Sequence, residues 1–144
     1  MSTKQNKKLL FLDILTGDII LREKINKFIY DGGTYGEEVR IMTGFDKRDF
    51  ECIDASMCVF PSVDKYKAII IGGSMEDPVK GTEKKWVIKT YAFIRQAVNK
   101  HIPIFGICGG LQFTVRALGG EVIINSMGRN FGKNSINITK DGMA

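Results

Sequence analysis

Apolar residues in this chain fall into short continuous runs separated by helical and glycine-rich stretches. Leu9 to Leu15 is nearly all apolar and closes on Thr16-Gly17-Asp18, which predicts a strand buried on both faces. Asp18 is placed to cap a helix reaching about Tyr30, with Ile19, Ile20, Glu23, Lys24, Lys27 and Phe28 giving it one apolar side. Residues 31–36 read as a loop and Glu38 to Met42 as a second strand. The stretch from Asp46 to Lys65 carries no decisive period. Ala68-Ile69-Ile70-Ile71 is a clear strand that ends in Gly72-Gly73.

Thr82, with Glu83 after it, is the predicted start of the next helix. Val87, Tyr91, Ile94 and Val98 share one face of it, and Asn99-Lys100-His101 ends it. Ile102 to Ile107 is the next strand, with Pro103 tolerated near its start. Gly109 to Leu118 reads as a helix stopped by Gly119-Gly120. Short strands are expected at Glu121–Ile124 and Ser135–Thr139. Strands alternating with helices predict an α/β fold: three layers, flavodoxin-like, a mostly parallel sheet with helices on both faces. Residues 1–144 read as one domain.

Composition narrows the partners. The net charge of +5 comes from 21 basic residues against 16 acidic ones, mostly lysines spread along the chain. A nucleic-acid reader concentrates its charge on one face, so no nucleic-acid partner is expected. No apolar run approaches the roughly 20 residues of a membrane helix, and Asp13 breaks the run that follows Lys7-Lys8, so neither membrane span nor signal peptide is expected. Cys52, Cys58 and Cys108 are an odd, unpaired set, which points to a reducing compartment and a cytoplasmic protein. With a single His the chain offers no zinc set, and no metal or cofactor is expected.

The most informative stretch is Ile104-Phe105-Gly106-Ile107-Cys108-Gly109-Gly110-Leu111-Gln112. It sets a thiol between a buried strand and the start of a helix, in a G-x-C-x-G pattern. Such a nucleophile elbow strains the central residue and leaves no room for side chains at the flanking glycines. The helix N-terminus favours a thiolate, and the Gly109 N–H is placed to bind an oxyanion. A buried structural cysteine at a strand end is the plainer alternative, and the paired glycines argue against it. If the strands over 67–71 and 103–107 are neighbours, Gly72-Gly73 opens into the same crevice, and Gly73 becomes a second oxyanion donor.

Ile71-Gly72-Gly73, Pro103 to Gln112 and Ala117-Leu118-Gly119-Gly120 together resemble a class I glutamine amidotransferase domain, most specifically between Lys67 and Gly132. The nearest likeness is to the glutaminase part of GMP synthase and its stand-alone relatives. The resemblance implies L-glutamine as substrate, Cys108 as nucleophile, an oxyanion hole from Gly72, Gly73 and Gly109, and glutamine contact by Gln112. Gly128-Arg129-Asn130-Phe131-Gly132 is similar to the family's Arg-Glu-(Phe/Tyr)-Gly stretch and implies substrate contacts at Asn130 and Phe131. Asn130 stands there in place of the acid.

Amide hydrolysis through a thiolate also needs a base that returns a proton to the departing ammonia. The family uses a His-x-Glu pair well beyond the matching segment, and the one His here is His101. Seven residues of strand separate it from Cys108 by roughly 20 Å, against the roughly 3 Å that proton transfer demands. The sequence therefore predicts an incomplete site, with the family's C-terminal part missing and a downstream segment or second chain supplying His and Glu. A Cys-elbow hydrolase such as a γ-glutamyl hydrolase would lack the same base. A non-catalytic flavodoxin-like binding or regulatory module remains the alternative outside enzymes, and Gly72 to Asp77 lacks the Lys-Ser/Thr ending of a phosphate loop.

Overall fold

A computed structural model describes residues 7–79, 81, 83–128, 132, 133, 135 and 137–140. Four strands form one parallel sheet: β1 (Lys8–Asp13), β2 (Phe50–Asp54), β3 (Tyr66–Ile71) and β4 (Ile104–Gly106), in the order β2-β1-β3-β4. That is the flavodoxin-like order, with its reversal of direction between β1 and β3. Helices α1 (Ile19–Phe28), α2 (Tyr35–Thr43), α3 (Lys85–Asn99) and α4 (Gly109–Ala117) connect or follow the strands.

Successive side chains of a strand point to opposite faces, and β1 shows the consequence. Leu10 and Leu12 join Ile69, Ile71, Val87, Tyr91, Ile94 and Phe113 in the larger core, under α3 and α4. Leu9 and Phe11 join Val39 and Phe50 in a smaller cluster on the other face, beneath α2. Helices thus cover both faces, and the α/β architecture read from the sequence is the one found. The predicted face of α3 is buried at Val87, Tyr91 and Ile94, and widened by Trp86, Thr90, Phe93 and Ala97.

Several local expectations need correction. Residues 38–42 lie in α2, not in a strand. Thr34 caps this helix, its hydroxyl accepting from the Glu37 N–H at 3.3 Å, and Gly44 ends it in the left-handed region at φ 70°. The second strand is β2, inside the stretch that had no decisive period. Asp18 does cap α1, accepting from the Leu21 N–H at 3.0 Å, but Ile19, Ile20 and Phe28 are exposed and only Ile25 of that helix is buried. Polar contacts through Arg22, described below, hold α1 instead.

The third helix begins at Lys85 with Lys84 at its N-cap and no side-chain cap; Thr82 lies outside the described residues. Residues 121–124 form no strand, and Ile124 is 82% exposed. A β-branched run needs a neighbour to exchange hydrogen bonds with, and among the described residues none pairs with this one. The described residues between 135 and 139 are not strand either. Among the described residues, no helix is long and apolar enough to cross a membrane.

Candidate functional site

The C-terminal ends of β3 and β4 meet at one edge of the sheet, where Ile71 pairs with Gly106 and the Ile107 N–H donates to the Ile71 carbonyl at 2.9 Å. Immediately beyond, the chain reverses into α4. Cys108 forms the corner with φ 51° and ψ −107°, a conformation that costs a non-glycine residue roughly 1–3 kcal/mol. It is exposed, and its carbonyl accepts the Leu111 and Gln112 N–H groups at 3.1 and 3.3 Å, which starts the helix directly behind the thiol.

Both flanking glycines are sterically required. A Cβ at Gly106 would stand 2.6 Å from the Leu111 nitrogen, and one at Gly110 would overlap the Ile71 carbonyl oxygen and lie 2.9 Å from that of Gly72. Residues 72–74 press against the same turn, since a Cβ at Gly109 would lie 2.5 Å from the Ser74 nitrogen. The predicted residues Gly72, Gly73, Cys108 and Gly109 are therefore brought together. Gln112 is exposed one helical turn on from the elbow. Asn130 and Phe131 lie outside the described residues.

The two donor positions differ. Among the described residues the Gly109 N–H has no hydrogen-bond partner, as expected of the first N–H of a helix. The Gly73 N–H instead donates to the Tyr35 hydroxyl at 2.9 Å. Tyr35 opens α2 and is held by Phe11, edge-on with ring centroids 5.0 Å apart, and by Tyr30, stacked at 5.7 Å. Sequence reasoning missed this residue, because residues 31–36 read as a loop. Thr34-x-x-Glu37, a helix-start pattern, was the signal that could have placed it.

Ionic ties fix the loops around the elbow. The Glu76 carboxylate accepts from the Gly17 N–H at 3.0 Å, from the Thr16 hydroxyl at 3.3 Å and from Lys84. Burial pushes this carboxyl up, but the Gly17 N–H, Lys84 and Thr16 together hold it below its ordinary value. Glu83 pairs with Arg116 of α4, whose guanidinium also donates to the carbonyls of Pro78 and Gly120 at 2.9 and 3.0 Å. That hydrogen-bonded guanidinium holds the Glu83 carboxyl low as well.

Groups depressed in the fold contribute stability that is complete above their unfolded value, here 4.5, and is lost as pH falls through the folded one. The protein should lose melting temperature progressively below about pH 4.5, and a Glu83→Gln variant should lose less over the same range. Thermal melts at pH 6 and pH 3.5 check this, and parallel losses in both proteins would contradict it.

Cys52 is exposed as a residue too, but its sulfur packs against Gly36 of α2, and desolvation there, with the Asp13 and Asp54 carboxylates nearby, pushes that thiol up to about 12. Pulsed alkylation at neutral pH should therefore modify Cys108 well before Cys52, with peptide mapping as the readout. A faster Cys52 would show the elbow thiol to be shielded. The lone imidazole is also placed: His101 precedes β4 and Cys108 follows it, so the strand puts them at opposite ends of the sheet.

Comparison with known proteins places the fold in a family. The class-I glutamine amidotransferase family model matches residues 41–142. The chain belongs to that family. A glutamine amidotransferase-like protein, L716, of Acanthamoeba polyphaga mimivirus is 33% identical over 60 residues, which is 42% of this chain and 29% of the viral one. Among solved structures, a glutamine amidotransferase of Methylobacillus flagellatus superposes with a TM-score of 0.54 at 18% identity, over 80% of this chain and 40% of that one. One from Thermotoga maritima gives 0.50 at 16% identity, over 79% and 44%. These two share the fold. The chain spans less than half the length of each of these three proteins.

Proposed function

We propose that these residues carry the nucleophile and oxyanion donors of a glutaminase. The Cys108 sulfur attacks the side-chain amide carbon of L-glutamine, and the new oxyanion is held by the Gly109 and Gly73 N–H groups. Collapse breaks the C–N bond. Ammonia leaves once its nitrogen has gained a proton, and a γ-glutamyl thioester stays on Cys108 until water converts it to glutamate. The observation that carries this reading is the strained Cys108 corner, with the unpaired Gly109 N–H beside residues 72–74. Gln112, with Asn130 and Phe131, is assigned to glutamine contact. The likeness to GMP synthase makes an ammonia-consuming acceptor reaction on another domain or chain the destination of the product.

The proton that ammonia needs has no source near Cys108 in these residues, since His101 is across the sheet. A second chain or further residues of the polypeptide supply the His and Glu in this reading. The edge beside the elbow has the character such a segment would cover: Phe105 on β4 is 66% exposed, and Ile107, Leu111 and Leu118 are exposed too. Ammonia release from L-glutamine tests the reading. Residues 1–144 alone should release no more than a Cys108→Ala control, and turnover above that control would show a base within them.

A further inference from the structure

The Tyr35 hydroxyl lies on the backbone N–H of Gly73, the residue read above as the second oxyanion donor. The hydroxyl accepts the Gly73 N–H at 2.9 Å, while the Gly109 N–H, the other donor beside the elbow, has no partner among the described residues. The contact is built into the fold. A Cβ at Gly72 would come within 2.7 Å of the Tyr35 ring, so the ring lies directly on the Gly72–Gly73 backbone. Phe11 of β1 and Tyr30 grip the ring from its edge and its face. Thr34, capping α2, fixes the residue from which it projects. A half-exposed phenol held in this way occupies one of two donors and leaves the other open.

We propose that Tyr35 is a positioning residue that reversibly caps the Gly73 donor. Its hydroxyl holds the Gly73 N–H toward the site in the free domain and yields it to the oxyanion when the carbonyl oxygen of a γ-glutamyl substrate arrives. The inference rests on the reading of Cys108 as nucleophile. A hydroxyl cap of this kind must be displaced before both donors can act, so it slows attack by the worth of one hydrogen bond. That worth corresponds to roughly 2- to 10-fold in rate.

The test uses a γ-glutamyl p-nitrophenyl ester. The Cys108 thiolate sulfur bonds to the carbonyl carbon of the γ-carboxyl ester through an oxyanion, the C–O bond breaks, and p-nitrophenolate departs without needing a proton. The missing base is therefore no obstacle. Iodoacetamide is the comparison: the same sulfur displaces iodide and no oxyanion forms. Tyr35→Phe keeps the ring contacts and removes the hydroxyl. Acylation of Cys108 should rise roughly 2- to 10-fold in this variant while alkylation stays unchanged.

An acylation-to-alkylation ratio equal to or below that of the parent overturns the proposal. The second readout is the Gly73 amide, whose hydrogen exchange should quicken in Tyr35→Phe; an unchanged rate overturns the cap by itself. Ester cleavage that is the same in Cys108→Ala as in the parent would instead remove the nucleophile reading, and the cap with it.

Discussion

Replacing Gly110 by alanine should collapse the elbow. Two effects of opposite sign compete at this position. Gly110 is a helical residue with ordinary backbone angles, and alanine at such a site normally gains roughly 0.5–1 kcal/mol. Here the added methyl would overlap the Ile71 carbonyl oxygen and crowd the Ile71 carbonyl carbon at 2.8 Å. Those atoms belong to the end of β3, where the Ile107 N–H is already bonded to the same carbonyl. Neither the strand nor α4 can yield without the other.

Overpacking against immovable backbone costs about 3 kcal/mol or more, which exceeds the propensity gain several-fold. For a domain of this size that is a loss of roughly 10 °C in melting temperature. Leu111→Ala, one position on and exposed, serves as the control and should stay close to the parent. An unchanged melting temperature for Gly110→Ala would mean that the strand and helix are not pressed together as described.

The second large effect lies at Arg22. Asp13 ends β1 with 4% exposure and accepts the Leu15 N–H at 2.9 Å and the Arg22 guanidinium at 2.7 Å. The other guanidinium nitrogen bonds Asp54 of β2 at 3.1 Å and the Thr16 carbonyl at 2.7 Å. One side chain therefore ties α1 to the ends of two strands, and α1 has little apolar burial to hold it otherwise. Arg22→Ala strands a buried carboxylate beside a second one, and breaking a buried pair in this way costs about 3–5 kcal/mol. Arg22→Lys should recover only part, because an ammonium cannot fork between Asp13 and Asp54. The exposed Arg48–Asp46 pair gives the contrast: solvent screens it, and Arg48→Ala should leave stability close to the parent's. Chemical denaturation of the three variants separates these outcomes, and equal losses for Arg22→Ala and Arg48→Ala would contradict the clamp.

What the sequence revealed follows from how local each feature is. The elbow was legible because its geometry is confined to a few residues, and the flanking glycines leave almost no alternative. The strand ending at Ile71 and the face of α3 were legible for a similar reason, since continuous β-branched burial and a repeated helical spacing each need one partner surface only. Residues 38–42 were misread because Val39 and Ile41 alternate with polar neighbours, while the deciding signals, Thr34 and Gly44, sit outside the run. β2 was not legible at all. Phe50-Glu51-Cys52-Ile53-Asp54 is an edge strand with one buried residue, and its conformation comes from pairing with β1, distant in sequence.

Glu121 to Ile124 failed in the opposite sense. Its residues favour a strand, yet among the described residues no strand pairs with them. Tyr35 illustrates the limit most clearly. Its contact with Gly73 links residues 38 apart in sequence, and it exists only because α2 lies across the end of β1. No local pattern encodes that approach.

The central claim, that Cys108 is the nucleophile of a glutamine site, is tested most directly by chloromethyl ketone analogues of L- and D-glutamine. Peptide mapping after brief exposure reads which thiol has reacted and at what rate. The account predicts modification confined to Cys108 and faster with the L-analogue, because a site built to hold L-glutamine discriminates between the two hands. Modification shared among Cys52, Cys58 and Cys108, or equal rates for the two enantiomers at Cys108, would contradict it.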